Sequence, residues 1–294
     1  MVFWDHIPMR LGSFEIDAVS DGYFRLDGGA MFGIVPKVLW EKVTRVDDQN
    51  RIDLSLTTLL IRTGSANVLV DTGIGSKHDA KFVENYAVDR FTTVPDGLRR
   101  LGLSVEDVDT VILSHLHFDH AGGATTLRNG SAVPTFPRAK YVIQRGMWQE
   151  AQESNPRTRG SYLPEDFLPL EAGGVVRFVE GEAEIVPGVR VVRSGGHVKN
   201  HQAVFVQSDG ETAVYWADLL PTTNHVKPSW VMGYDLFPHE VAELKVQWLD
   251  RAVREQWVNV FEHDPRTAMG RIRSEGKSLR VEALVPAERP PGFP

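Results

Sequence analysis

Four side chains that can bind a metal ion lie within six residues of one another, in the segment Val111–Gly123. The segment reads Val-Ile-Leu-Ser-His115-Leu-His117-Phe-Asp119-His120-Ala-Gly-Gly. His115 and His117 follow a short apolar strand at a spacing of two, so their side chains project to the same side, and Asp119 and His120 belong to the next turn. Imidazole nitrogens and carboxylate oxygens suit a borderline metal such as zinc. The pattern predicts a metal site where a strand leaves its sheet.

The composition limits what else the chain can do. The 294 residues include no Cys, which excludes disulfides, thiolate nucleophiles and iron–sulfur clusters. Lys and Arg number 32 against 39 Asp and Glu, a net charge of −7 that argues against a nucleic-acid partner. No apolar stretch has the length of a membrane span, and the first residues do not resemble a signal peptide. We therefore expect a cytoplasmic protein that acts on a small molecule and binds neither nucleic acid nor membrane.

Short β-branched runs alternate with helical patterns from end to end, which is typical of an α/β fold. Two pairs of runs are predicted hairpins, 59–62 with 67–71 and 203–207 with 212–216, so the sheets should be mixed. An apolar stripe predicts a helix over Glu240–Glu255. No linker or repeat divides the chain, which predicts one domain over 1–294. Gly, Pro and aromatic residues suggest loop insertions around 21–50 and 129–168.

The His-x-His-x-Asp-His segment, with a strand before it and Gly-Gly after it, resembles the metallo-β-lactamase superfamily. Other motifs of that family follow in the same order along nearly the whole chain. They are an Asp-Thr-Gly turn at Asp71, a Gly-His-x-x-x-His element at His197 to His201, a strand-end Asp at Asp218 and a last His at His263. The resemblance implies an αββα sandwich of two mixed β-sheets flanked by helices.

The resemblance also implies a dinuclear metal centre. One metal ion would be held by His115, His117 and His197. The other would be held by Asp119, His120 and His263, and Asp218 would lie between the two ions. Asp71 and His201 would lie behind the ligands and orient them. Zinc is the expected metal, with manganese, cobalt and iron as alternatives.

Departures from other branches narrow the expected reaction. This chain has His117 where the redox diiron branch has Glu, which disfavours a redox function. The absence of Cys and the presence of a bridging Asp218 disfavour a β-lactamase. The net negative charge disfavours a nuclease. The leading prediction is a lactonase in which a metal-bridging hydroxide attacks the ester bond of a lactone. The alternative is a phosphotriesterase or aryl esterase. Less favoured are a thioester hydrolase, a mononuclear iron persulfide dioxygenase using His115, His197 and Asp218, and a non-catalytic binding module.

Asp119 and Asp218 are the predicted catalytic residues, with Asp119 orienting the hydroxide and passing its proton to the leaving group. Many lactonases of this family carry a Tyr three residues after the bridging Asp, where this chain has Pro221. Tyr234 or His225 would have to supply that hydrogen-bond donor. The predicted pocket residues are Met31, Phe32, His225, Trp230, Met232 and Tyr234. Similar proteins suggest a homodimer.

Overall fold

The computed structural model describes residues 8–276, 278–290 and 292–293. The strands of these residues are β1 Met9–Leu11, β2 Phe14–Asp27, β3 Arg51–Arg62, β4 Asn67–Val70, β5 Thr110–Ile112, β6 Thr125–Arg128, β7 Ser131–Pro134, β8 Lys140–Gln144, β9 Val176–Val179, β10 Ala183–Val186, β11 Val189–Arg193, β12 Gln202–Ser208, β13 Glu211–Tyr215, β14 Val258–Val260, β15 Thr267–Glu275 and β16 Ser278–Pro286. The helices are α1 Gly28–Phe32, α2 Lys37–Trp40, α3 Ala80–Asn85, α4 Val94–Arg100, α5 Phe118–Ala121, α6 Arg145–Gln152, α7 Pro164–Ala172 and α8 Pro238–Arg254.

Two mixed sheets of seven strands form the molecule's centre. The first has the order β1-β2-β3-β4-β5-β8-β9, in which β4, β5, β8 and β9 run parallel. The second has the sequential order β10 to β16, in which only β13 and β14 pair in parallel. Strands β6 and β7 form a separate hairpin. The two mixed sheets with flanking helices confirm the predicted fold class.

Alternation along the strands divides the apolar residues between the two faces of each sheet. In β3, Leu59 and Ile61 belong to the core between the sheets, whereas Leu60 faces the opposite side, where α4 and α6 pack. In β12, Val204 and Val206 lie in the central core and Phe205 lies with the residues of α8. Each sheet is therefore buried on both faces, which keeps its strand ends fixed in place.

Both predicted hairpins and the long helix are confirmed. Strands β3 and β4 pair antiparallel, as do β12 and β13, and α8 covers the predicted helix apart from its last residue. The hairpin of β15 and β16 escaped the sequence analysis because its second strand is mostly exposed and alternates weakly.

The two predicted insertions contain more regular structure than loops. Residues 21–27 continue β2, and two short helices, α1 and α2, follow them. Gly22 lies inside this strand with a φ of 94°, at a point where the pairing of β2 with β3 shifts register between Ser20 and Tyr23. Residues 129–168 include β7, β8, α6 and the start of α7. Pro164 begins α7, whereas Pro137 and Pro156 lie in turns between the elements.

Four strand ends meet beside one another and carry the candidate site. The parallel strands β4 and β5 lead into Asp71 and into the His115–His120 segment, and β13 and β14 of the other sheet lead into Asp218 and His263. Carboxyl ends of parallel strands commonly form ligand sites, because adjacent loops leave the sheet on the same side. Among the described residues, no helix combines the length and the apolar character needed to cross a bilayer.

Candidate metal centre

The structure brings the seven predicted ligands into two neighbouring, buried clusters. The first consists of His115, His117, His197 and Asp218, and the second of Asp119, His120 and His263. Within each cluster, one ligand atom per residue lies within 4.8 Å of every other. Asp218 also reaches the second cluster, since its Oδ1 lies 3.3 Å from His263 Nε2 and its Oδ2 lies 3.5 Å from His120 Nε2.

The spacing of the donor atoms matches the edges of a coordination shell. In the first cluster, His117 Nδ1 lies 2.9 Å from His115 Nε2 and 3.2 Å from His197 Nε2, which is itself 3.0 Å from Asp218 Oδ2. Tetrahedral ligands about 2.0–2.1 Å from zinc are separated by about 3.3 Å. In the second cluster, Asp119 Oδ2 lies 3.6 Å from His263 Nε2. The clusters therefore have the size that a bound divalent ion requires.

Among the described residues, three buried ligand atoms have no hydrogen-bond partner: His120 Nε2, His263 Nε2 and Asp218 Oδ1. A buried polar atom without a partner costs about 1–3 kcal/mol, and a charged one costs more. The three atoms lie close together where the clusters meet, since Asp218 oxygens lie 3.3 Å from His263 Nε2 and 3.5 Å from His120 Nε2. The nitrogen and oxygen donors, their spacing and their missing partners together fit two divalent cations, with Asp218 placed to touch both.

The charge distribution favours cations at this point. Burial and the neighbouring imidazoles hold the pKa of His115 and His117 well below 6.5, so both rings are neutral and have lone pairs to donate. Burial also opposes protonation of His197, yet the carboxylate of Asp218 raises the pKa of His197 to about 10. Burial disfavours ionised Asp218, but His197 and His120 hold its pKa well below 3.8. The buried Asp218 carboxylate is thus ionised, and a positive charge nearby would stabilise it.

The outer nitrogen of each of three ligand rings is hydrogen-bonded to the protein. His197 Nδ1 lies 2.9 Å from Asp235 Oδ1, and His263 Nδ1 lies 2.9 Å from the backbone oxygen of Ser55. His120 Nδ1 lies 2.9 Å from Asp71 Oδ2. Such contacts place the proton on the outer nitrogen, so the inner nitrogen is left free to bind metal. Asp235 was missed from sequence, because it lies 38 positions after His197 and no motif links the two.

Asp71 holds the turn after β4 against the metal-ligand segment. Its two carboxylate oxygens accept hydrogen bonds from the backbone nitrogen and the hydroxyl of Ser114, at 2.7 and 2.6 Å. Asp71 takes a left-handed φ of 57°, a conformation that Asp tolerates better than most residues. Gly123 packs against the same turn so closely that an added Cβ would lie 2.1 Å from the Thr72 oxygen. The two turns therefore support each other, and Asp71 lies behind the ligand ring of His120.

Glu262 is a second carboxylate behind His120, and it was not predicted. Its Oε2 lies 2.8 Å from His120 Nδ1, so Asp71 and Glu262 both face the one N–H of that ring. Burial raises the pKa of Glu262 to about 7, although the charge of His120 opposes the rise. The available signal was its position directly before a ligand histidine in Phe261-Glu-His.

His201, the other predicted supporting residue, lies near the ligands without contacting them through a polar atom. Its ring centre is 5.3 Å from that of His115, and its Nδ1 lies 2.6 Å from the Ser194 hydroxyl. Burial and the charge of His197 lower its pKa to about 3, so its ring is neutral. His201 therefore packs against the first cluster.

A cavity of about 380 Å³ lies directly over the two clusters, which is within the usual range for a small-molecule site. His117, Asp119, His197, Asp218 and His263 form its polar floor. Its walls are largely apolar or aromatic, and the residues that form them are Leu26, Met31, Tyr86, Phe118, Met232, Tyr234 and Leu236. Arg157 lines the same cavity and donates to the Gly233 oxygen at 3.0 Å.

Three of the six predicted pocket residues line this cavity: Met31, Met232 and Tyr234. The prediction was wrong for Phe32, His225 and Trp230, which pack together behind the wall. His225 is fully buried, and its ring nitrogens contact the Thr222 hydroxyl at 2.7 Å and the Met31 oxygen at 2.9 Å. His225 therefore has no ring nitrogen left to replace the missing lactonase Tyr.

Tyr86, Phe118 and Arg157 were not predicted to line the pocket. Tyr86 and Phe118 pack against each other with ring centres 4.8 Å apart. Phe118 lies inside the metal-binding motif, so its position between His117 and Asp119 was the available signal. Arg157 lies in an irregular turn, where no periodicity predicts which way a side chain points.

A model of the metallo-beta-lactamase superfamily matches residues 53–263, which is more than half of the chain and includes all seven candidate ligands. The chain belongs to this superfamily. A solved structure from Staphylococcus aureus, described as a probable metal-dependent hydrolase, is 32% identical and superposes with a TM-score of 0.88 over 95% of this chain and 99% of that one.

The curated relatives and a second solved structure carry lactonase names. An N-acyl homoserine lactonase from a Bacillus species is 32% identical over 168 residues, which cover 54% of this chain and 60% of the relative. The chain thus matches less than two thirds of that relative's length. The dizinc quorum-quenching lactonase AidC, solved with the product N-hexanoyl-L-homoserine, shares 19% identity at a TM-score of 0.78 over 95% of this chain and 97% of that one. At that identity the likeness establishes the fold alone.

Proposed function

We propose that this chain is a dinuclear metal-dependent hydrolase that opens lactones carrying an apolar chain. The observation that carries the proposal is the position of the two His/Asp clusters at the floor of a largely apolar cavity. The lactonase name of the 32%-identical curated relative supports the substrate class. His115, His117, His197 and Asp218 would hold one metal ion, and Asp119, His120, His263 and Asp218 the other.

Two divalent ions at this site would supply Lewis-acid stabilisation of a developing oxyanion and a water-derived nucleophile near neutral pH. The protein supplies the orientation and the proton transfers. Asp119 belongs to the second cluster and lines the cavity, so its carboxylate can accept a proton from attacking water and return it to the leaving oxygen. Asp235, Asp71 and the Ser55 oxygen keep the ligand rings in place while this occurs.

Tyr234 is our candidate for the residue that donates a hydrogen bond to the substrate. It shares the cavity with Asp119 and Asp218. Partial burial and the negative charge of Asp119 raise its pKa to about 12, which keeps the phenol protonated at neutral pH. Its loop is held by the Gly233 nitrogen, which donates to the Ala30 oxygen at 2.8 Å, and by Arg157. A donor fixed in this way can stabilise the negative charge that forms on a lactone carbonyl.

A second candidate function is phosphotriester or aryl ester hydrolysis, which Pro221 favours. Pro221 occupies the position three residues after Asp218 and has no side-chain donor for a lactone carbonyl. A triester or an activated aryl ester has a better leaving group and depends less on such a donor. The same metal clusters and apolar walls would serve either substrate.

Proton release measures both reactions on a common scale. We expect the zinc- or manganese-loaded protein to hydrolyse medium- and long-chain lactones faster than a phosphotriester of similar size. Asp119→Asn should lower kcat about 100-fold or more, because a positioned acid–base group contributes roughly that much. The matched control is Asp48→Asn, which removes one exposed carboxylate away from the cavity and should leave kcat unchanged.

Metal content and melting temperature identify the cause of any loss. If Asp119→Asn retains two metal ions and its kcat, Asp119 is not the acid–base group. If the wild-type protein holds two metal ions but turns over only the phosphotriester, the lactonase proposal is wrong and the second candidate replaces it.

A further inference from the structure

Lys77 is a buried cation that the proposed hydrolysis does not use. It lies in the segment between β4 and α3, and its side chain is 3% exposed. Its Nζ donates to the backbone oxygens of Gly122 and Thr125, the second at 3.4 Å, and lies 2.7 Å from Asp166 Oδ1. An ammonium removed from water requires such partners, because an isolated buried charge is strongly unfavourable. The three contacts join the segment after β4, the segment after α5 and the start of α7.

Asp166 is the counter-ion of Lys77. It lies in the first turn of α7 and is fully buried. The same turn is joined to the segment after α5 by the Thr125 hydroxyl, which donates to the Glu165 oxygen at 2.7 Å. The imidazole of His78 lies 3.8 Å from Asp166, but burial and the charge of Lys77 lower the pKa of His78 to about 4, so this ring is neutral. Within the described ranges, Lys77 is therefore the only cation within 4.0 Å of this carboxylate.

Stability alone does not account for this buried ion pair. Apolar side chains of similar volume often replace a buried ion pair without loss of stability, because the cost of desolvating both charges cancels much of their attraction. The reason for a charged pair at this point therefore lies in what the ammonium contacts besides Asp166, namely the backbone oxygens of Gly122 and Thr125.

Gly122 ends the short helix that carries two ligands of the second cluster. Helix α5 comprises only Phe118–Ala121, with Gly122 as its C-cap, and it includes Asp119 and His120. So short a helix has few hydrogen bonds of its own and depends on outside contacts for its position. The carbonyl oxygens at a helix end lack partners within the helix and carry partial negative charge, which a cation stabilises. Lys77 supplies that cation at the end of α5.

The segment after β4 also holds α5 through neutral contacts. The nitrogen and the hydroxyl of Thr72 each donate to the His120 oxygen at 2.8 Å, and the Gly123 nitrogen donates to the Gly73 oxygen at 2.9 Å. Lys77 adds a charged contact to this series, just beyond the last ligand of the helix. The segment after β4 therefore holds the ligand-bearing helix at several points, and its buried ammonium is one of them.

We propose that Lys77 is a positioning residue for the metal ion of the second cluster. Its ammonium, oriented by Asp166, fixes the end of α5 so that Asp119 and His120 keep the arrangement that binds this ion. The first cluster should be little affected, because all four of its ligands lie outside α5. The inference rests on the metal centre of the proposed function, and it does not depend on which substrate that centre hydrolyses.

Zinc titration of the metal-free protein, in competition with a chelating dye, tests the proposal. Lys77→Met removes the ammonium and keeps an apolar stem. We expect one of the two zinc ions to bind about tenfold or more weakly and the other to bind as it does to the wild type. A general loss of stability would weaken both ions alike, so the selective loss distinguishes positioning from stability. Asp166→Asn keeps the ammonium but removes the charge that orients it, and this variant should weaken the same ion to a smaller extent.

A double variant provides the second test. Lys77→Met alone leaves Asp166 buried without its counter-ion, whereas Lys77→Met combined with Asp166→Leu removes both charges and should recover the melting temperature of the metal-free wild type. The double variant restores no donor to the Gly122 oxygen, so one zinc ion should still bind about tenfold more weakly. The control is Arg62→Met, which breaks the 2.8 Å ion pair with buried Asp17 at the other end of β4 and should bind both ions as the wild type does.

Wild-type affinity for both ions in the double variant would overturn the proposal, as would equal weakening of the two ions in Lys77→Met. A wild type that binds fewer than two zinc ions would refute the metal centre and this inference together. Because dye competition measures metal binding alone, a wild type that binds two zinc ions without opening lactones would refute only the lactonase function. The role of Lys77 would then still be decided by its own variants.

Discussion

Lys245 is a buried cation whose charge opposes folding. It lies on α8 with 2% of its surface exposed, and its ammonium donates to the Trp230 oxygen at 2.6 Å. Burial lowers the pKa of Lys245 from 10.5 to about 8, although the carboxylate of Asp235 opposes the fall. Trp230 begins the loop that carries Met232, Tyr234 and Asp235, so this buried ammonium fastens the segment that forms one wall of the cavity.

The pKa difference gives the size and the sign of the effect. A fall of about 2.5 units corresponds to about 3 kcal/mol, at 1.36 kcal/mol per unit. Because the folded pKa is the lower one, the folded state binds fewer protons than the unfolded state between pH 8 and pH 10.5. Lys245 therefore adds stability as pH rises through this window, and that stability is lost as pH falls through about 8. Below that pH the full cost of the buried charge remains.

Lys245→Met removes the titration but keeps the apolar stem. We expect the free energy of unfolding of the wild type, relative to that of the variant, to increase by about 2.5 kcal/mol between pH 7 and pH 10. Urea unfolding at pH 7, 8, 9 and 10 measures this difference, and groups common to both proteins cancel. The lost hydrogen bond to Trp230 shifts the difference by a constant and does not change its slope.

Lys81→Met, a substitution of an exposed lysine, is the control and should show no such slope. Parallel curves for the wild type and Lys245→Met would refute the reasoning, because they would mean that Lys245 has the same pKa in the folded and unfolded states.

Three further predictions concern the metal centre. Tyr234→Phe should lower kcat about 10- to 100-fold through loss of its donor to the substrate, with metal content unchanged; an unaltered kcat would remove Tyr234 from the mechanism. Asp235→Asn should weaken metal binding about 10- to 100-fold, since His197 loses its carboxylate partner, and competition with a chelating dye measures this. Removing metal with a chelator should lower the melting temperature, because only the folded clusters bind the ions tightly; identical melting curves would contradict the assignment.

Local pattern predicted the part of the site that lies on one continuous segment. His115, His117, Asp119 and His120 follow β5 directly, so strand periodicity and the next turn place their donors together whatever the rest of the chain does. The same periodicity predicted the two hairpins and α8, because alternation and helical spacing record which face of an element is buried.

Long-range partners depend on how the two sheets pack, and no local pattern encodes that. Asp235 reaches His197 across 38 residues, and Glu262 reaches His120 because β14 ends beside the β5 turn. Family resemblance indicated His197, Asp218 and His263 as ligands, but only the packed sheets bring them to one point. Asp235 belongs to no motif, and Glu262 has only its position before His263 as a signal, so their contacts with the ligand rings are identified by the folded structure.

The cavity walls were the least predictable feature. Met31 and Phe32 are neighbours in one short helix, yet they line different cavities, and His225 is buried in a contact with the Met31 oxygen. The sequence indicated that these residues would line one pocket. It did not indicate which cavity each would face, because side-chain direction in short helices and irregular turns is set by contacts with distant segments. The sequence by itself determined the metal-binding motif, the β3–β4 and β12–β13 hairpins, α8 and the fold class, and tertiary packing decided the supporting carboxylates and the shape of the substrate cavity.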